Sequence, residues 1–368
     1  MSRPSARDIL MRVLRQTAAE REAIIMETTN HPAQNQVQNT TFFSHVVNSF
    51  FGGDEDQMFR QFNINRTVFD AAFNLVSSIP LPRRGRRSFV QTHRDKLLFL
   101  FLFLTNGTKV LSKVCLPRLN CQSAILHHLH EAATLFIQPL LTNTVLFFHE
   151  RVEGLPQVSS VVDCTVVEIK GPDTPFRQQD SYYSGKYKRH CLKKEVIVNV
   201  RSGRAAMISQ EYPGSVADIE VLRRHSFEVN AMLGDSQMLA DLGYRGETNV
   251  PNCHVVRQTS ETEKRTRLIV ERFFGRLKNY FIVFSRTWEL SPRCFSAFFD
   301  LACALTNLTI LVSPLNQEDW VFNVNLLRKW KRQEVERQLA LEQKRERLKT
   351  RRLQEREEMI SSILEVLW

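Results

Sequence analysis

Nothing in these 368 residues spells a disulfide framework or a zinc ribbon. The cysteines, at positions 115, 121, 164, 191, 253, 294 and 303, are odd in number and none is spaced as CxxC. They read as reduced, buried thiols. No apolar run reaches the roughly 20 residues that a bilayer span needs. The longest, LLFLFLFL at Leu97 to Leu104, is followed by Asn106, Gly107 and Lys109 and reads as a buried helix. The opening MSRPSARDILMRVLRQ has no apolar stretch followed by a small-residue cleavage site, so an intracellular protein away from the membrane is expected. Glycine and proline are absent from Asn325 to Leu367.

What is present is a basic chain with room for two or three domains. Its hydrophobic content of 43% suffices for a sizeable core, and its net charge of +11 favours polyanionic partners, nucleic acid or an acidic membrane surface. Charge alone does not choose between them. Residues 1–57 read as a short amphipathic helix followed by a polar, Asn/Gln-rich, loose segment. Residues 58–150 carry helical periodicity, broken at Asn106-Gly107 and Pro117 and restarted at Asn120, a plausible N-cap. Short helices with a last one opening on Cys121, Gln122 and Ser123 suit a helix-turn-helix that presents polar residues to a DNA groove, or an ordinary helical subdomain. The segment PRRGRRSF places Arg83, Arg84, Arg86 and Arg87 around a glycine, suited to phosphate contact.

From residue 157 to 315 the pattern changes to short β-branched strands with helices between and after them, the grammar of an α/β layer. The last segment, 325–368, is a long charged helix with no clean heptad, either a coiled coil or a solvated helix.

Three carboxylates occupy places where an acid is locally expensive. Asp163 interrupts the strand-like SSVVDCTVVEI, and Asp241 ends the apolar run QMLAD at a strand edge, where α/β sheets build sites. Glu271 lies in RLIVERFFGRLKNYF, on a helix opened by a capping box of Ser260 and Glu263. Val270, Phe274, Leu277 and Phe281 form its apolar stripe, while Lys264, Arg267, Glu271, Gly275 and Lys278 share another face. Two aspartates and a glutamate so placed can supply oxygen ligands for two Mg²⁺ or Mn²⁺ ions, the arrangement used for phosphoryl transfer on DNA.

The motifs VVDCT, SGKYKRHCLKKEVIVNV, EYPGSVADIEVLRRHS, MLADLGYRG and RLIVERFFGRLKNYFIVF resemble, in order and approximate spacing, those of PIF/Harbinger transposases and Harbinger-derived nucleases. The likeness runs from about Gln157 to Leu311. It implies a ribonuclease H-like DDE catalytic domain at 157–315, preceded by a helix-turn-helix-like DNA-binding domain. By position Asp163, Asp241 and Glu271 match the catalytic triad. Asp218 matches a further acid, either an auxiliary metal ligand or a residue that orients the site; Asp241 is the preferred second member because it ends a strand. Lys186, Lys188 and Arg189 would lie along substrate DNA, and Arg267, Arg272, Arg276 and Lys278 would hold phosphates near Glu271.

The resemblance thus implies a divalent-metal-dependent endonuclease acting on double-stranded DNA at transposon ends, joining the freed 3′-hydroxyl to target DNA. The same likeness implies a Myb-like partner protein; nuclear residence is expected from a DNA substrate and the basic runs, and a homo-oligomer from the charged helix after Asn325. The alternative is a domesticated descendant that binds DNA or protein without cutting. The 29 residues between Asp241 and Glu271 are fewer than relatives often have, and the charged helix after Asn325 is outside the usual catalytic pattern, suited to a partner or dimer element.

Overall fold

The chain folds, in a computed structural model, as helices followed by a mixed α/β layer. Residues 41–81, 92–115, 122–145, 157–170, 180–255 and 261–312 are described, with helical positions between 329 and 350. Outside them lie residues 1–40, Arg83, Arg84, Arg86 and Arg87, Asn120, Cys121, Ser260 and most of the charged carboxyl-terminal segment.

Helices begin earlier than hydrophobic periodicity suggests, because capping residues set their starts. Helix α1, Phe42–Phe51, is opened by Thr41 in a capping box with Ser44 and closed at Gly52, whose φ of 58° is left-handed. Asp54 and Asn65 cap α2, Glu55–Gln61, and α3, Arg66–Val76. Helix α4, His93–Asn106, contains the LLFLFLFL run and is buried on every side. Asp95 in its first turn is buried but satisfied: it accepts from the backbone N–H groups of Thr92 at 2.8 Å and Phe43 at 2.7 Å, pinning α1 to α4. Helices α5, Thr108–Cys115, and α6, Gln122–Thr144, complete this part.

The sheet is built on β1, Val158–Glu168, which pairs antiparallel with β3, Arg189–Asn199, and parallel with β6, Gln237–Ala240. Strand β7, Cys253–Val255, runs parallel beside β6. The short strands β2, Tyr183–Ser184, β4, Ala205–Ile208, and β5, Tyr212–Pro213, each pair antiparallel with β3. One face packs on α7, Asp218–Arg224, and α8, Ser226–Leu233, through Val162, Ile197, Leu222, Val229 and Met238. The other face packs on α9, Glu261–Tyr280, and α10, Phe295–Val312.

Helix α10 with the turn before it, Pro292–Val312, is apolar and long enough to cross a membrane, yet it lies mostly within the core, against α6 and α3. The helical part and one face of the α/β sheet therefore share an apolar core, while a smaller second core lies on the sheet's other face. Phe103 of α4 contacts Trp288 and Phe298 edge-on, with ring centroids 5.8 and 5.0 Å away. Asn307 of α10 bonds both backbone groups of Ala205 and the carbonyl of Thr144. Among the described cysteines, Cys191 and Cys303 are buried, Cys164, Cys253 and Cys294 are half-buried, and all five are free thiols.

Phe103→Ala is expected to destabilise the protein by about 3–5 kcal/mol. The shared core predicts one cooperative melt, with Trp288 fluorescence, read after replacing Trp320, Trp330 and Trp368 by phenylalanine, and far-UV circular dichroism falling together; separate transitions for the two signals would contradict it.

Candidate active site

Strand register brings the first two acids together. Val161 of β1 lies opposite Leu239 of β6 in the parallel pair. Two residues further along each chain, on the same face, stand Asp163 and Asp241, the latter just past the end of β6. Asp163 Oδ1 accepts from the Cys164 N–H at 2.8 Å. Asp241 Oδ1 accepts from the Gly243 N–H at 2.8 Å, opening a single 3₁₀ turn at Leu242–Tyr244. Asp218 is the first residue of α7 and reaches the same turn.

Gly243 shows how tightly these groups meet. A Cβ there would lie 2.9 Å from Asp241 Oδ1 and 3.1 Å from Asp218 Oδ2. A side chain there would displace one of the two carboxylates, which both lie against this glycine.

Charge confirms the crowding. The Asp163 carboxyl is pushed up to about 6, first by burial and then by the charge of Asp241, with a smaller push from Asp218. Arg267 and the Cys164 N–H work in the opposite direction. Two cations are built into the site. Lys193 of β3, nearly buried, places Nζ 2.6 Å from Asp218 Oδ1 and 2.5 Å from the Val216 carbonyl. Arg267 of α9 lies 3.3 Å from Asp163 Oδ2 and also hydrogen-bonds Glu271 one turn along its own helix.

Glu271 is thus joined to Asp163 through a guanidinium. Among the described residues, no three His, Cys, Asp or Glu side chains close on one point as a metal would require. The donor set nevertheless suits a hard divalent cation: it offers carboxylate oxygens, and four acids share two internal cations. Burial and the charge of Asp241 together raise Asp163 in spite of Arg267.

The bases are distributed differently from the expectation that they surround Glu271. Arg267 pairs with the acids themselves. Lys278 turns inward and donates to the Val166 carbonyl at 2.9 Å, and burial lowers its pKa. Arg272 and Arg276 line a small cleft with Ser202, Gly203, Ile269, Phe273 and Ile310, beside the β3–β4 turn. A helical-wheel reading places these residues relative to one another but does not say which flank meets the sheet. Gly275 does leave a bare surface, since a Cβ there would meet nothing.

On the β2–β3 hairpin, Lys186 and Lys188 are exposed, and Lys186 Nζ lies 5.4 Å from the Tyr187 ring. Burial works against its charged form, but Tyr187, Asp218 and Asp241 outweigh that and raise its pKa, so the hairpin base feels the acid cluster. Arg189 pairs with Glu168 at 2.8 Å on the exposed surface.

Sequence reasoning missed Lys193. Its signal was present: Lys193, Lys194 and Glu195 are three consecutive charged residues in a strand whose continuation is Val196, Ile197 and Val198, and all three are buried. That is the same local anomaly that exposed Asp163.

The fold and the acids define a class: an α/β domain with carboxylates gathered at the end of a strand. Residues 162–307 match the family described as DDE superfamily endonuclease, a segment that contains Asp163, Asp218, Asp241 and Glu271. The chain is also similar to the protein named "Putative nuclease HARBI1" in Homo sapiens and in Bos taurus, at 25% identity over 169 residues in each case. The match covers 43% of this chain and 47% of each relative, so it spans about half the length of these curated proteins. Both findings support the Harbinger resemblance carried by the five motifs. No solved structure matches the chain.

Because the folded Asp163 carboxyl titrates near 6 and the ordinary value is 3.8, the folded form holds more proton between those values. This group therefore favours folding increasingly as pH falls from about 6 to about 4, and its penalty is fully present above 6. Asp163→Asn is expected to stabilise the metal-free protein at pH 7.5 by about 1–3 kcal/mol, a gain that fades towards pH 4. Thermal melts across that range check it; no gain at pH 7.5 would refute the assignment.

Proposed function

We propose that the protein is a divalent-metal-dependent DNA endonuclease of the DDE transposase type, cutting phosphodiester bonds at transposon ends and joining 3′-hydroxyl ends to target DNA. The observation that carries this reading is the convergence of Asp163, Asp218 and Asp241 at the end of β6, where Asp163 is pushed up to about 6 first by burial and then by the charge of Asp241. A ribonuclease H-like domain is supported by the strand order, in which β3 lies antiparallel to β1 and β6 and β7 lie parallel on its other side.

In this reading Asp163 and Asp241 hold Mg²⁺ or Mn²⁺, with Glu271 as the third ligand. Such ions, when bound, lower the pKa of an attacking water or 3′-hydroxyl and offset charge on the scissile phosphate. Asp218 serves as an orienting group, since its Oδ1 is already committed to Lys193. Arg267 is the internal counter-ion of Asp163 and Glu271 and is released to a phosphate oxygen on substrate binding. Lys186 and Lys188 contact the DNA backbone from the hairpin, and Arg272 and Arg276 contact it further away. The helices before β1 contribute duplex binding. Nuclear residence, a Myb-like partner and self-association belong to the same proposal.

One observation favours a second reading, a descendant that binds DNA without cutting: Arg267 already neutralises two of the acids a metal would use. The two readings separate on purified full-length protein with Mn²⁺ and terminal-repeat DNA. Asp163→Asn, Asp241→Asn and Glu271→Gln should each abolish cleavage while leaving circular dichroism unchanged. Asp218→Asn should reduce cleavage by roughly 10–100-fold, as loss of an orienting partner does. Tight duplex binding by the wild type with no cleavage would establish the second reading.

A further inference from the structure

On the sheet face opposite Asp163, four polar side chains stand within an apolar layer formed by residues such as Val162, Ile197, Met238 and Ala240. Glu195 is buried at their centre, 1% exposed. Its Oε2 accepts from the Tyr244 hydroxyl at 2.8 Å, and its Oε1 lies 2.8 Å from His225 Nε2. Cys164 Sγ lies 3.4 Å from the same hydroxyl.

A buried carboxylate is a costly way to fill a strand position, and an apolar residue of similar volume usually serves stability as well or better. What this one does is mark out the acid-bearing segments. Cys164, directly opposite Glu195 in the β1–β3 pair, follows Asp163. Tyr244 ends the turn that Asp241 opens. His225 ends the helix that Asp218 begins. Lys193, two residues before Glu195 on the same strand face, holds Asp218 itself. Every segment that brings an aspartate to the strand edge therefore also sends a side chain to Glu195 or to its strand.

We propose that Glu195 and Tyr244 are positioning residues for the metal site, fixing the mutual spacing of Asp163, Asp218 and Asp241 from the far side of the sheet. This rests on the metal-binding reading above. Three carboxylates that repel one another relax apart unless the backbone carrying them is held. The Tyr244 hydroxyl ties the Asp241 turn to β3, and His225 ties the end of the Asp218 helix to the same point. Neither residue touches substrate.

The test is Mn²⁺ affinity of the full chain without DNA, read from the electron paramagnetic resonance of free Mn²⁺, with circular dichroism melts alongside. Wild type is expected to bind and Asp163→Asn to lose binding. Tyr244→Phe keeps the ring and removes only the hydroxyl; its affinity should fall about tenfold or more, in the range seen when partners of metal ligands are removed. Leu233→Val, in the same apolar layer, should lower the melting temperature and leave affinity unchanged. If Tyr244→Phe does not fold, Glu195→Gln, which preserves shape, is expected to show the same loss.

Wild-type affinity in the folded Tyr244→Phe or Glu195→Gln protein would overturn the proposal. So would losses in Tyr244→Phe and Leu233→Val that simply track their melting temperatures. A wild type whose Mn²⁺ binding is absent, or unaffected by Asp163→Asn, would instead overturn the metal-site reading together with this extension of it.

Discussion

The parallel register of β1 against β6 is the constraint on which the site depends. With Val161 opposite Leu239, the next residues facing the same way are both aspartates, and the sheet forces them together. Two unit charges about 4 Å apart interact by about 4 kcal/mol at an effective dielectric of 20. A hydrogen bond to a charged group contributes about 1.5–3 kcal/mol. The N–H groups of Cys164 and Gly243 therefore do no more than roughly balance such a repulsion, and the rest of the local structure can be understood as the means of holding the pair. A slip of one residue in β6 would send Asp241 to the opposite face.

Two kinds of support answer the repulsion. Lys193 and Arg267 supply charge, one to Asp218 and the other across Asp163 and Glu271. The sheet and its buried polar layer supply rigidity. These act differently towards a cation. A rigid frame favours binding because the cost of bringing the acids together has already been met in folding. An internal cation competes with binding, because it must give up a partner when a metal arrives. Asp163 feels the frame more than the counter-charge: its pKa is raised in spite of Arg267. Asp218 has a buried ammonium against one oxygen, and this contact separates the roles of the two acids more clearly than their positions in secondary structure do.

Much of this was legible in the chain because the informative residues violate local preference. An aspartate inside VVDCT or after QMLA is conspicuous in a strand, and a helix with a continuous apolar stripe announces which of its residues face inward. Strands β1, β3, β4, β6 and β7, α9 and the start of α7 at Asp218 follow from those patterns. The helices at 42–51 and 55–61 were hidden because their starts are set by Thr41 and Asp54 side chains more than by periodicity. The fates of Arg267 and Lys278 were not legible. Both lie on the expected face of α9, but whether a base there meets water, a carboxylate or the Val166 carbonyl depends on how the helix crosses β1. Lys193 and Glu195 could have been recognised by the argument that identified Asp163, but beside a basic loop they read as the charged lead-in to a strand.

The shared core carries the same logic outward. Helix α9 bears both Arg267 and Glu271, and its far end is anchored outside the α/β layer: the Tyr280 hydroxyl accepts from the Asn65 N–H at 2.6 Å, at the start of α3. Beyond it, Trp288 donates its backbone N–H to the Glu168 carbonyl at the end of β1 and packs on Phe103 of α4. The angle at which α9 crosses the sheet is therefore set partly by helices distant in sequence from the acids. Asp163 and Asp241 are fixed by register within the sheet, whereas Glu271 is fixed by the packing of α9 between sheet and helices. The third acid is the one whose position the helical part can adjust, so contacts made by that part have a physical route to the geometry of the site.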